Sequence, residues 1–128
     1  MAETEKITIN MSAVDLGRID LLVEEGFYSN RTDFIRTAIR KELDVHSEVV
    51  KQSVTRRTSA LGVVIYDRQD LERYLQKNEK LEIRMVGAVY LADNISAELA
   101  RAVIQSLKIY GVLHASQAVK DALADRML

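Results

Sequence analysis

Residues Lys6-Ile-Thr-Ile-Asn-Met11 alternate polar and apolar side chains at the two-residue period of a β-strand, and the two patterns that follow are helical. A lone strand leaves its backbone groups unpaired, and even a two-stranded hairpin is marginal in water. The segment therefore has to pair with a copy of itself from another chain. Ser12 then opens a helix with Asp15 three positions on, and Leu16, Ile19, Leu22 and Val23 recur at helical spacing until Gly26 stops it. Ser29 or Asn30 supplies the next N-cap and Asp33 an acidic first turn. Phe34, Ile35, Ala38, Ile39 and Leu43 form the apolar stripe of a second helix.

Strand, helix and helix within the first 44 residues, with Gly26-Phe-Tyr-Ser-Asn-Arg-Thr-Asp-Phe-Ile-Arg36 at the junction, resemble the ribbon-helix-helix family of bacterial and archaeal DNA-binding proteins. The resemblance covers roughly residues 5 to 44. It implies an intertwined homodimer whose two strands form an antiparallel ribbon lying in the major groove of double-stranded DNA. In that frame Ile7, Ile9 and Met11 face a four-helix core, while Lys6, Thr8 and Asn10 point outward to the bases. Lys suits guanine acceptors, Asn suits the donor and acceptor pair of adenine, and Thr serves a polar edge or the thymine methyl. The same resemblance places Ser29, Asn30, Arg31 and Thr32 against phosphate at the N-terminus of the second helix, where the dipole favours an anion. The plainer readings are a solvated ribbon edge and ordinary helix capping.

Placement has to carry this reading, because bulk charge does not. The chain holds 18 Lys and Arg against 19 Asp and Glu, a net charge of −1. Residues 1 to 44 carry six basic and nine acidic side chains, a net of −3. Acidity opposes phosphate binding, which supplies most non-specific affinity for DNA. Assembly into larger oligomers would multiply weak contacts. His46, Val50 and Val54 continue the spacing of the second helix, so residues 49 to 60 read as a connector and helix extension that breaks at Arg56-Arg57-Thr58-Ser59. The two arginines suit either a DNA contact or a solvated link.

Beyond Ala60 a repeat is anchored on Gly62, Gly87 and Gly111, 25 and 24 residues apart. Each glycine leads an apolar strand ending: Val63-Val-Ile-Tyr66, Ala88-Val-Tyr-Leu91 and Val112-Leu-His114. Polar residues follow, and a helix is expected from Leu71, Ile95 and Val119, with a second apolar position at Leu75, Leu99 and Leu123. Leu81-Glu-Ile-Arg-Met85 and Leu107-Lys-Ile-Tyr110 alternate as strands into the second and third glycines. Three strand-helix units side by side form a small parallel sheet with helices on one flank, and its two open edges favour self-association. A competing alignment of Asn94 to Ala124 with Asn10 to Arg40 makes a second ribbon-helix-helix copy, and it requires Leu107 to Tyr110 to be helical.

The expected class is thus α+β: a ribbon-helix-helix domain at residues 1 to 48, and a small α/β domain of three strand-helix repeats at 61 to 128. The second domain is expected to bind a partner or to join dimers into tetramers or larger assemblies. With no Cys in the chain, thiol nucleophiles and cysteine zinc clusters are excluded. His46 and His114 stand alone, and no phosphate loop, nucleophile elbow or His-Glu-x-x-His run occurs. Asp67 and Asp70 read as helix-end carboxylates rather than an acid-base pair. No enzyme, metal or cofactor is expected. The longest apolar run is far below the roughly 20 residues of a membrane span, and no signal peptide is legible, which points to the cytoplasm and the nucleoid. The function expected is a sequence-specific transcriptional regulator, most simply a repressor. An antitoxin-like interaction module and an architectural DNA coat are the alternatives.

Overall fold

The computed structural model describes residues 4–56 and 60–128. The chain divides into two compact units, Met1–Glu48 and Val49–Leu128.

In the first unit α1 spans Ala13–Glu24 and α2 spans Arg31–Val45. The Ser12 hydroxyl accepts from the Asp15 amide at 3.1 Å, which starts α1 where the Ser and Asp spacing predicts. Gly26, at φ 89°, turns the chain out of it. The helix expected to run on past Leu43 does so in two pieces, because α2 closes at Val45 and α3 occupies Ser47–Arg56. The break falls on His46, whose amide turns back to the Leu43 carbonyl at 3.1 Å. Arg57, Thr58 and Ser59, the rest of the expected helix break, lie outside the described residues.

The second unit contains β1 (Ala60–Tyr66), α4 (Arg68–Gln76), β2 (Leu81–Leu91), α5 (Ala97–Val103), β3 (Ile104–His114), α6 (Gln117–Ala122) and a 3-10 turn at Ala124–Arg126. The strands form a parallel sheet in the order β1-β2-β3, with a helix in each crossover. Leu107 to Tyr110 are strand, so the competing alignment that needed them helical is overturned.

Side-chain alternation assigns the faces. Ile83, Met85, Val89 and Leu91 of β2 and Leu107 of β3 join Leu71 of α4, Ala100 and Val103 of α5 and Val119 of α6 in one buried core. Val64 and Tyr66 of β1 and Ile109 and Leu113 of β3 pack against it. The intervening residues of the strands, among them Leu61, Val63 and Ile65 of β1, therefore lie on the opposite face of the sheet.

Gly62, Gly87 and Gly111 stand in register across the three strands. A Cβ at Gly87 would fall 1.9 Å from the Gly62 carbonyl oxygen, and one at Gly111 would fall 1.9 Å from that of Gly87. Gly87 and Gly111 are thus required by the approach of the neighbouring backbone.

Helix starts follow the caps more closely than the apolar pattern. Asp67 and Asp70 form a reciprocal capping box on α4, each side chain accepting the other's amide at 2.8 and 2.9 Å. Ser116 caps α6 through the Val119 amide. Ser96 caps α5 through the Leu99 amide, so that helix begins at Ala97 and Ile95 lies before it rather than at its start. Ile95 and Ala100, both buried, occupy the two positions of a hydrophobic staple. Of the second apolar positions, Leu123 is fully buried while Leu75, in the last turn of α4, is exposed.

Candidate nucleic-acid interface

Residues 4–12 carry no regular secondary structure, so the strand expected at Lys6 to Met11 is not formed within one chain. The physical reason is the absence of an edge to pair with among the described residues of the first unit, whose regular elements there are helices. Lys6, Thr8 and Asn10 are exposed, and so are the apolar residues between them: Ile7 is 74% and Ile9 61% accessible, while Met11 is half-buried.

The apolar stripe of α2 is in the same condition. Ile39 and Leu43 are exposed, Phe34 and Ile35 are half-buried, and Leu21 and Phe27 nearby are open to solvent. Ile19 is the one buried hydrophobic residue among the described residues of this unit. Fully burying a side chain of this size is worth roughly 1.5–3 kcal/mol, so the unit by itself forgoes most of the stabilisation its sequence encodes.

At the N-terminus of α2 the four expected phosphate ligands divide by role. Asn30 is the N-cap, in extended backbone conformation, and its side-chain oxygen accepts from the Asp33 amide at 2.8 Å. The Asp33 carboxylate in turn accepts from the Ser29 amide at 2.9 Å. With these two bonds made, the first-turn amides of Arg31 and Thr32 have no intrahelical acceptors and stand in the position from which helix ends bind anions. Tyr28 and Phe34 meet edge to face at 5.0 Å between ring centres, joining the turn to the helix.

Arg31 itself is already engaged. Its Nε and Nη2 donate to the two carboxylate oxygens of Asp20 on α1, each at 2.8 Å. The hydrogen bonds from Arg31 hold the Asp20 carboxyl below the usual carboxylate range, against the opposing effect of desolvation, and the same bonds raise Arg31. The sequence does not signal this pair, because its members are eleven residues apart and are brought together only by the packing of α1 on α2. Lys6, Arg36 and Arg40 are exposed and enter no ion pair among the described residues, and the two arginines stand one turn apart on α2.

In the second unit the stacked pair Tyr90 and His114, with rings 4.3 Å apart, lies on the sheet face away from the core. Among the described residues no group of three His, Asp or Glu side chains is placed to hold a metal ion. No helix among them is long and apolar enough to cross a membrane.

A family model described as the Ribbon-Helix-Helix transcriptional regulator family matches residues 2–120. The match thus extends through α1 and α2 and on into the parallel sheet. No curated protein and no solved structure matches the chain.

Proposed function

The chain belongs to the family of ribbon-helix-helix transcriptional regulators, and from that footing we propose that it is a sequence-specific repressor that reads the major groove through a ribbon made by two copies of residues 6 to 11. The observation that carries this reading is the nearly coreless first unit, with Ile7, Ile9, Leu21, Phe27, Ile39 and Leu43 all exposed. Pairing two segments edge to edge satisfies their backbone groups and turns Ile7, Ile9 and Met11 onto the stripes of two α2 helices. Lys6, Thr8 and Asn10 are then the outward row, and they read base edges. The amides of Arg31 and Thr32, with the Ser29 and Thr32 hydroxyls and the Asn30 side chain, seat the dimer on phosphate.

Residues 61 to 128, as three strand-helix repeats, join such dimers into tetramers or larger assemblies. The folded core of this domain favours assembly over an antitoxin-like tail that would order only on a partner. The protein acts in the cytoplasm, on the nucleoid, without a cofactor or a chemical step.

Selection of bound fragments from sheared genomic DNA near physiological salt tests the reading. A short recurrent motif is expected. Broad recovery without a motif, with an extended footprint, would replace the repressor with an architectural coat, and no recovery would overturn DNA recognition by this surface.

A further inference from the structure

The two edges of the parallel sheet differ. At β3 the chain covers part of its own edge: Met127 bridges to Leu107, and the Leu128 amide donates to the Leu107 carbonyl at 2.8 Å. Lys108 adds a charge there. At β1 neither device is present among the described residues. Ala60-Leu-Gly-Val-Val-Ile-Tyr66 is a seven-residue edge strand with no charged residue and no proline, and Leu61, Val63 and Ile65 are 68%, 49% and 60% accessible. Open edges in folded proteins are ordinarily blunted by charge, proline or cover, and this one is not.

The glycine row indicates what fits beside it. Gly87 and Gly111 each take the carbonyl of an adjacent strand into the space a Cβ would fill, whereas a Cβ at Gly62 would meet nothing within 4 Å. Gly62 has the same backbone conformation, φ 135° against 137° and 133°. At Gly62, therefore, no side chain stands between the outer side of β1 and the backbone of a further strand.

We propose that β1 pairs antiparallel with β1 of a second copy of this chain, forming a continuous six-stranded sheet across a two-fold axis. The strand is matched to itself because the other edge of a second copy is already partly occupied by Met127 and Leu128. Seven paired residues make a small contact beside the ~1,200 Å² or more of a specific stable interface. The contact consequently belongs to copies that are already dimers. Each dimer carries two such edges, and once one has paired the second closes within the same assembly, which yields a tetramer. This inference rests on the reading of residues 61 to 128 as the module that joins dimers.

Because the chain has no native Cys, single cysteines test the geometry in the full-length protein. Directly opposed residues of antiparallel strands have Cβ atoms about 4.5–5.5 Å apart, close to disulfide geometry. Among Leu61→Cys, Val63→Cys and Ile65→Cys, the variant nearest the axis should form an inter-chain disulfide under mild oxidation, in a particle of tetramer mass by light scattering. Val112→Cys, on the same face but on β3, should not. Val63→Lys should leave the far-UV circular dichroism unchanged and reduce the tetramer to dimers. Cross-linking of Val112→Cys would overturn the edge in favour of face-to-face packing. A cross-linked particle of dimer mass would overturn the assignment to separate dimers. If no β1 cysteine cross-links while deletion of residues 61 to 128 still lowers the mass, the pairing is overturned and the assembly role stands; if deletion leaves the mass unchanged, both fall.

Discussion

Arg31 reaches back across eleven residues to grip Asp20 with two hydrogen bonds of 2.8 Å, so the cation nearest the N-terminus of α2 is held by a carboxylate of α1. The pair orients the helices, and it also withholds a positive charge from any phosphate at that site. Asp20→Asn should release Arg31 and tighten DNA binding. With two copies of Arg31 freed in a dimer, the slope of log affinity against log salt should steepen by roughly 2. Fluorescence anisotropy across a salt series measures both, and an unchanged slope would place Arg31 away from the DNA.

The same pair predicts a pH dependence. Asp20 is lowered in the folded chain, so its contribution to stability is in place above the ordinary carboxylate pKa of 3.8 and is lost as the pH falls through the lowered value. Acid-unfolding curves of the native protein and Asp20→Asn should differ at neutral pH and converge only below 3.8.

Gly87→Ala puts a methyl group 1.9 Å from a backbone oxygen at a φ of 137°. Neither strand can yield without breaking register, and the loss should be on the order of 3 kcal/mol or more. Gly62→Ala meets the same backbone cost without that clash, and should lose about 1–2 kcal/mol. Urea denaturation of both variants checks the ranking.

Ile9→Asp should prevent the N-terminal dimer by placing a carboxylate where the ribbon's apolar row is buried. Lys6, Thr8 and Asn10 changed together to Ala should leave the particle mass intact and abolish preference among DNA sequences. Light scattering and competition binding separate the two outcomes, and a mutant triad that keeps its preference would move base reading elsewhere.

Asn30→Ala removes the oxygen that caps α2 and should cost about 1 kcal/mol of stability, read as a fall in the urea midpoint.

Local chemistry made much of this legible. Ser12 and Asn30, legible as caps, start their helices because a side-chain oxygen satisfies a first-turn amide, and Asp67, Ser96 and Ser116 do the same where the apolar spacing instead sets the starts at Leu71, Ile95 and Val119. The period of Gly62, Gly87 and Gly111 could be seen because all three units hold the same positive-φ backbone conformation, which favours glycine. What escaped depends on distance or on a second chain. The Arg31 and Asp20 pair exists only once α1 lies on α2, and the break at His46 interrupts a spacing that reads as one helix. Lys6 to Met11 alternates as a strand should, yet alternation describes a face and cannot supply the neighbour that a strand needs.

The glycine row also bears on how this domain could change over time. A side chain at Gly87 or Gly111 would strike the backbone of the strand before it, so single substitutions at those two positions are barred. Length, by contrast, is free to vary in steps: a duplicated unit that brings its own glycine fits beside those already there, and an unequal exchange that removes one whole unit leaves the remaining pair matched. Such a domain would evolve by counting units, with drift at the row itself held close to zero.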